Sequence, residues 1–229
     1  MAGVTLVELM VGLVIGLIVI LGVFSLYLAT VRGGADTMQG VRLNQDLRSA
    51  MIVMTSDLRR AGYWNQDQSA SNPFSLQHTL GFRVPDSSCV RFEYDRNQDG
   101  FIDFEAESFG FRFADGRIGM LAEPDPTEVL GRFNECSQEV GTWVELAGDD
   151  DLVVTELSFS QDFRCRNMTD EGSMDSCATV FAAAADDDLI VQIRKVDITL
   201  AGRLGPHRML LEETVRIRND RRFRYDSGG

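Results

Sequence analysis

Positive charge is scarce in this sequence. Its 229 residues include 22 lysines and arginines against 35 aspartates and glutamates, which gives a formal charge of −13. Lys195 is the only lysine. Nucleic-acid binding needs clustered lysine and arginine side chains that displace counterions from phosphates. We therefore predict that the protein has no nucleic-acid partner.

Histidine and recognisable catalytic motifs are also scarce. His78 and His207 are the only histidines, and neither lies in a nucleophile or metal motif. The sequence contains no glycine-rich phosphate loop. The acidic runs at 149–151 and 186–188 are more typical of exposed loops than of an acid and base pair. These features predict that the protein is not an enzyme.

Cysteine is sparse but even in number. Cys89, Cys136, Cys165 and Cys177 stand at wide spacings without a CxxC pair, which favours disulfides in an oxidising compartment over a zinc site. Four cysteines allow three pairings. The polar, loop-like stretch between the last two favours Cys165 with Cys177, which leaves Cys89 with Cys136. We expect the domain to lie outside the cytoplasm, and four free thiols in a cytosolic domain are the alternative.

One long hydrophobic run is present near the start of the chain. Residues 9–31 include no charged side chain, and these 23 residues exceed the roughly 20 that a helix needs to cross a hydrocarbon core. The basic start and small-residue cleavage site of a secretory signal are not seen. Glu8 directly precedes the run. A carboxylate in such a segment costs about 2.5 to 3.5 kcal/mol on insertion scales and is by default functional.

The residues around Glu8 carry a processing motif. The segment GVTLVELM, residues 3–10, resembles the signature around the prepilin peptidase cleavage site of type IV pilins and type II secretion pseudopilins. The resemblance implies that the peptidase cuts after Gly3, leaving residues 1–3 as a residual leader, and that Val4 is then N-methylated. It also implies that Glu8 pairs with the terminal amine of a neighbouring subunit. Each group then compensates the hydration that the other loses in low dielectric.

Helical periodicity continues beyond the apolar run. From Leu43 to Ala61, apolar residues recur at steps of three and four, with charged residues between them. We therefore predict one helix with two halves: a transmembrane or filament-core half over residues 4–31 and an amphipathic half over residues 32–63. The remaining residues, 64–229, are enough for one head domain in the periplasm or outside the cell.

After residue 63 the apolar pattern changes to a period of two, which indicates β-strands. Turn residues at Asp99-Gly100 and Asp115-Gly116 favour antiparallel connections. In LIVQIRKVDITL, the alternation changes phase at Arg194-Lys195, which predicts a β-bulge there. The fold class predicted is α+β: a long N-terminal helix packed on an antiparallel sheet, which is the pilin architecture.

Three later segments narrow the resemblance. DLRSAMIVMTSDLRRAGYW, CVRFEYDRNQDGFIDFEAESFGFRF and ETVRIRND resemble the PilW group of minor pilins. This resemblance implies a type IV minor pilin that contacts other minor and major pilins, primes assembly and lies at or near the pilus tip. It also implies a single-pass inner-membrane protein, with its head in the periplasm, before assembly at the cell surface.

Two alternatives stay open. A minor pseudopilin of type II secretion, similar to GspJ, would carry the same N-terminal motif. A membrane-tethered periplasmic domain that binds calcium or acts as an enzyme belongs to a different class, and it predicts activity from residues 64–229 without any filament. Glu8 argues against this second alternative, because a simple tether does not need an acid there.

The segment DRNQDGFIDFEAE, residues 95–107, carries a partial calcium-binding pattern. Its residues fit positions 1, 3, 5, 6 and 9 of an EF-hand loop, with a backbone carbonyl at position 7. Position 12, which should be glutamate, is Ala106, and it lies between Glu105 and Glu107. The alternative is a polar turn with solvated acids. The expected Ca²⁺ ligands are Asp95, Asn97, Asp99, Phe101, Asp103 and Glu105.

Overall fold

A helix of 53 residues, α1, begins at Leu6 and ends at Leu58. The computed structural model describes residues 5–65, 72–75, 82–125, 136–137, 141–170 and 172–226. The chain divides into two compact units, Met1–Arg42 and Leu43–Gly229. Two shorter α-helices, α2 (Phe104–Glu107) and α3 (Cys177–Ala183), and a 3₁₀ helix (Pro73–Ser75) follow α1.

The strands of the second unit form two antiparallel sheets. The first sheet has the order β1-β2-β3-β4-β5, and the second has the order β10-β8-β6-β7, with β9 also paired to β8. The predicted α+β class, a long N-terminal helix followed by antiparallel sheets, is therefore confirmed. The strands are β1 (Phe82–Asp86), β2 (Cys89–Glu93), β3 (Ser108–Ala114), β4 (Arg117–Pro124), β5 (Gly141–Ala147), β6 (Leu152–Asn167), β7 (Asp175–Ser176), β8 (Leu189–Leu204), β9 (His207–Arg216) and β10 (Arg221–Arg224).

In the first unit, α1 presents its apolar side chains to the outside. Leu6 is 74% exposed and Val31 is 51% exposed. By length and composition, α1 is long and apolar enough to cross a membrane, and none of its most apolar stretch is buried inside the protein. This helix fits membrane anchoring of the chain.

Within the second unit, α1 buries one face. Its inward side chains, at steps of three and four residues, follow the spacing that places them on one side of a helix. They share a core with residues of β6 and β8, such as Leu157 and Ile198. A Cβ on Gly202 of β8 would lie 3.1 Å from both δ-carbons of Leu47, so the glycine provides the room that this leucine occupies. The inward residues of α1 with at most 2% exposure are Leu43, Leu47, Ala50, Met54 and Leu58.

The predicted bulge at Arg194-Lys195 is wrong. The pairing of β6 with β8 keeps its register there, and its only irregularity lies between Val154 and Glu156. Arg194 instead occupies an inward position on β8 and is 4% exposed, like Val196 two residues later. Its guanidinium donates to the carbonyl of Asn219 at 2.8 Å. This bond satisfies one donor of the buried guanidinium, while its Nε has no hydrogen-bond partner among the described residues. The arginine therefore holds the inward phase of the strand with its charge only partly compensated.

Both disulfides join distant parts of the second unit. Cys165 of β6 bonds to Cys177 at the start of α3, with a Cα separation of 4.6 Å. Cys89 at the start of β2 bonds to Cys136, with a Cα separation of 6.1 Å. Cys165 also lies in a small second core with Val180 of α3 and other apolar residues. The disulfide therefore ties α3 to β6 beside this apolar cluster.

Candidate functional site

Glu8 lies in the first turn of α1. Its side chain is exposed, and its backbone N–H donates to Oγ1 of Thr5 at 3.3 Å. Between residues 5 and 31 it is the only charged side chain. The arrangement places one carboxylate beside a continuous apolar surface. A cationic partner would best offset the free-energy cost of a negative charge in such surroundings. Gly3 and Val4, the predicted processing residues, lie outside the described residues.

The predicted calcium loop connects β2 to β3 and includes α2. Three side chains accept hydrogen bonds from the backbone N–H two residues later: Asn97 from Asp99 at 2.9 Å, Asp99 from Phe101 at 2.8 Å, and Asp103 from Glu105 at 3.0 Å. Gly100 has a φ of 81°, a conformation that favours glycine. These local bonds curl the segment into a tight loop.

Asp95 is the first residue of this loop, and its side chain is buried. It is 1% exposed, and its Oδ2 accepts hydrogen bonds from the backbone N–H groups of Gly100 and Asn65, both at 3.1 Å. Its Oδ1 is also buried and has no hydrogen-bond partner in the part of the chain that the structure describes. Burying a carboxylate oxygen without a hydrogen-bond donor lowers the free energy of unfolding. Such an oxygen either destabilises the loop or binds a ligand.

Glu107 closes the loop from the opposite end. It is 1% exposed. Its Oε1 accepts from the backbone N–H groups of Arg96 at 2.9 Å and Asn97 at 3.4 Å, and its Oε2 accepts from that of Asp103 at 2.9 Å. Glu107 thus returns to the start of α2, whose N-cap is Asp103, in the manner of a capping box shifted by one residue.

The other predicted ligands lie toward solvent. Asn97, Asp99, Asp103 and Glu105 are exposed, and the side chain of Phe101 is 74% exposed. Across the described ranges of the chain, no group of three or more histidine, cysteine, aspartate or glutamate side chains is placed to hold a metal ion. As the side chains stand, Asp95 and Glu107 are turned inward and Glu105 is not.

The segment that follows α1 contacts the same loop. The indole N–H of Trp64 donates to the carbonyl of Gly100 at 2.9 Å, and the side-chain amide of Asn65 donates to the carbonyl of Gln98 at 3.2 Å. The backbone N–H of Asp95 donates to the carbonyl of Tyr63 at 2.9 Å. Local sequence patterns did not predict that Trp64 and Asn65 belong to the site, because these contacts span 30 residues or more.

A buried arginine and a buried glutamate lie on β2 next to the loop. Arg91 is 3% exposed and Glu93 is 2% exposed, and Ser108 donates its hydroxyl to Oε1 of Glu93 at 3.3 Å. Burial raises the pKa of Glu93 from its usual 4.5 to about 7, although the Ser108 hydrogen bond and the charge of Arg91 both lower it. Burial also lowers the pKa of Arg91 from its usual value to about 10.

The raised pKa of Glu93 predicts a pH-dependent stability. The unfolded side chain ionises near its usual pKa of 4.5, whereas the folded one resists ionisation up to about 7. Its contribution to stability is therefore fully present below pH 4.5 and is lost as the pH rises through 7. We expect Glu93→Gln to reduce this pH-dependent fall in the free energy of unfolding by up to about 3 kcal/mol, at about 1.4 kcal/mol per pKa unit.

Urea unfolding of the full chain in detergent, with a chelator present, measures this effect between about pH 4.5 and about pH 8. Glu212→Gln is the matched control, because Glu212 lies exposed on β9. An unchanged pH dependence in Glu93→Gln would contradict the assignment of the raised pKa to Glu93.

Comparison with known proteins identifies a family. A family model described as prepilin peptidase-dependent protein B matches residues 36–217. No match to the chain was found among curated proteins or among solved structures. The family match begins after the apolar run and excludes residues 3–10, so it is independent of the N-terminal processing motif.

Proposed function

Because the chain belongs to the prepilin peptidase-dependent protein B family, we propose that it is a minor pilin of the PilW type, which primes assembly of a type IV pilus and lies at or near its tip. The family makes it a pilin-like substrate of prepilin peptidase. Its role is assembly rather than catalysis, and its partners are other minor and major pilins. Before assembly, α1 anchors it in the inner membrane with the head in the periplasm.

The observation that carries this proposal is the lone carboxylate of Glu8. It stands at the start of a helix whose apolar side chains are exposed through the first unit. In a bilayer this acid costs about 2.5 to 3.5 kcal/mol on insertion scales. Pairing with the amine that cleavage creates on Val4 of a neighbouring subunit compensates that cost. The acid thereby favours the filament over the isolated anchor and selects one register between subunits.

The proposal is tested by expressing the chain with a complete leader in a piliated host, with and without prepilin peptidase. The expected result is a peptidase-dependent N-terminus at Val4 carrying one added methyl group, read by mass spectrometry, and trace amounts of the chain in sheared pili. An uncut chain that is absent from filaments would contradict the assembly role.

The same host separates the two pilin-like roles. A type II secretion role of the GspJ kind predicts incorporation only when the secretion pseudopilus is overproduced, and a loss of secretion without loss of pili on deletion. The minor-pilin role predicts the reverse: fewer pili on deletion and normal secretion.

A further inference from the structure

We propose that the loop of residues 95–107 binds a calcium ion, with Asp95 as its buried ligand and Glu107 as the ligand that closes the loop. This site is independent of the assembly role, since it lies within the second unit and needs no neighbouring subunit. The EF-hand pattern expects a glutamate at residue 106, where this chain has Ala106. The spacing favoured Glu105 as its substitute, but we assign this role to Glu107.

The buried Oδ1 of Asp95, which has no hydrogen-bond partner among the described residues, is the observation that points to a cation. The other carboxylate oxygen, Oδ2, accepts from the N–H of Gly100 inside the loop, so Oδ1 lies at the same loop. At 1% exposure, Asp95 is shielded from bulk water. A hard cation is the natural partner of such an oxygen, because Ca²⁺ takes six to eight oxygen ligands and prefers carboxylates.

Buried carboxyl groups accumulate around this position. Glu93, Asp95 and Glu107 are all at most 2% exposed. Asp95 and Glu107 are the first and last residues of the loop, and both of them accept hydrogen bonds from its backbone. A divalent cation held by these two residues would compensate carboxylates that are shielded from water.

Glu107 is better placed than Glu105 to close the site. Both of its oxygens accept hydrogen bonds from the loop backbone, from Arg96 and Asn97 at the start and from Asp103 near the end. Glu105 is exposed and contributes its backbone N–H to Asp103 instead of its carboxylate. One extra residue between positions 9 and 12 of the pattern is absorbed by the single turn of α2.

The exposed residues complete the ligand set on binding. The side chains of Asn97, Asp99 and Asp103 are exposed, so we expect them to turn toward the ion while the buried contacts of the loop stay in place. This movement also explains why no ready-made group of three acids is present among the described residues. Calcium would then tighten the loop against Trp64 and Asn65, in the segment that follows α1.

Calcium titration of the full chain in detergent tests the site. We expect a Kd of about 0.1 to 1 mM, the range of extracellular calcium modules, and binding of Mg²⁺ at least about tenfold weaker, since Mg²⁺ demands a smaller octahedral site. Terbium provides a second readout. Emission excited through tryptophan should appear on binding, persist in Trp143→Phe, fall in Trp64→Phe and be displaced by calcium.

Matched variants locate the ligands. Asp95→Asn and Glu107→Gln should each weaken calcium binding at least tenfold, whereas Glu105→Gln should change it less than twofold. Because the first two residues are buried, Asp99→Asn on the exposed part of the loop provides a variant that keeps the fold and should also weaken binding. Near-ultraviolet circular dichroism without calcium checks each fold.

The outcomes separate clearly. The absence of binding by the wild-type chain up to about 10 mM calcium, well above the range of extracellular modules, overturns the site. Weaker binding in Glu105→Gln with normal binding in Glu107→Gln overturns the assignment of the closing ligand. Neither result bears on peptidase cleavage or filament incorporation, so the proposed function can stand or fall separately.

Discussion

Glu8→Ala is expected to leave cleavage by prepilin peptidase intact and to lower the amount of the chain in sheared filaments at least about tenfold. The substitution removes a charge that is costly in the bilayer, so it stabilises the membrane-anchored state. In the filament it leaves the amine of Val4 of the neighbouring subunit buried without a counter-charge. Breaking a buried pair costs about 3 to 5 kcal/mol, which exceeds the 1.4 kcal/mol that a tenfold change requires.

Two further variants make this prediction specific. Leu9→Ala removes apolar surface from the adjacent residue without changing charge, and we expect it to change incorporation less than threefold. Glu8→Gln keeps the shape but not the charge and should behave like Glu8→Ala. The quantity measured is the ratio of filament to membrane protein by immunoblot, together with the N-terminal mass. Normal incorporation of Glu8→Gln would contradict charge pairing as the function of this residue.

Leu47→Ala is expected to destabilise the second unit by about 2 to 5 kcal/mol, the cost of a large-to-small change at a buried leucine. Leu47 is fully buried, and its δ-carbons fill the space above Gly202 on β8. The truncation leaves a cavity between α1 and the second sheet. A sheet that is hydrogen-bonded along its length relaxes little toward such a cavity, so most of the cost remains.

Ile52→Ala is the matched control for this measurement. Ile52 lies on the same helix, five residues further along, but is 66% exposed. A surface substitution of this kind changes stability by about 0.5 kcal/mol or less. Urea unfolding of the full chain in detergent, followed by near-ultraviolet circular dichroism, compares the two variants. Equal losses in both would show that α1 does not pack on β8 in solution.

The strand pattern shows where local reasoning fails. Alternation of apolar residues predicts strands well, because successive side chains of a strand point to opposite faces. At Arg194 it predicted a change of phase, because the apolar residues before Arg194 are odd-numbered and those after Lys195 are even-numbered. The carbonyl of Asn219 supplies an acceptor for that arginine. Asn219 is 25 residues away in the chain, so no window of sequence around β8 contains this information.

The loop shows a similar limit. Aspartates and a glycine at alternate positions indicate a tight polar loop, and the structure contains one. Which acid turns inward depends on the direction of α2, whose single turn carries Glu107 back toward Asp103. Spacing alone could not separate Glu105 from Glu107, since they are two residues apart and equally acidic.

Local sequence patterns were enough to predict the long apolar helix, the lone acid at its start, the strand-rich remainder and the α+β class. These follow from hydrophobic periodicity and from the cost of charge in an apolar segment, both of which are local properties of the chain. Folding, in contrast, turns Arg194 inward, places Leu47 above Gly202 and brings Trp64 to the loop. Those contacts join residues distant in sequence, and their free energy depends on the surroundings that folding creates around them.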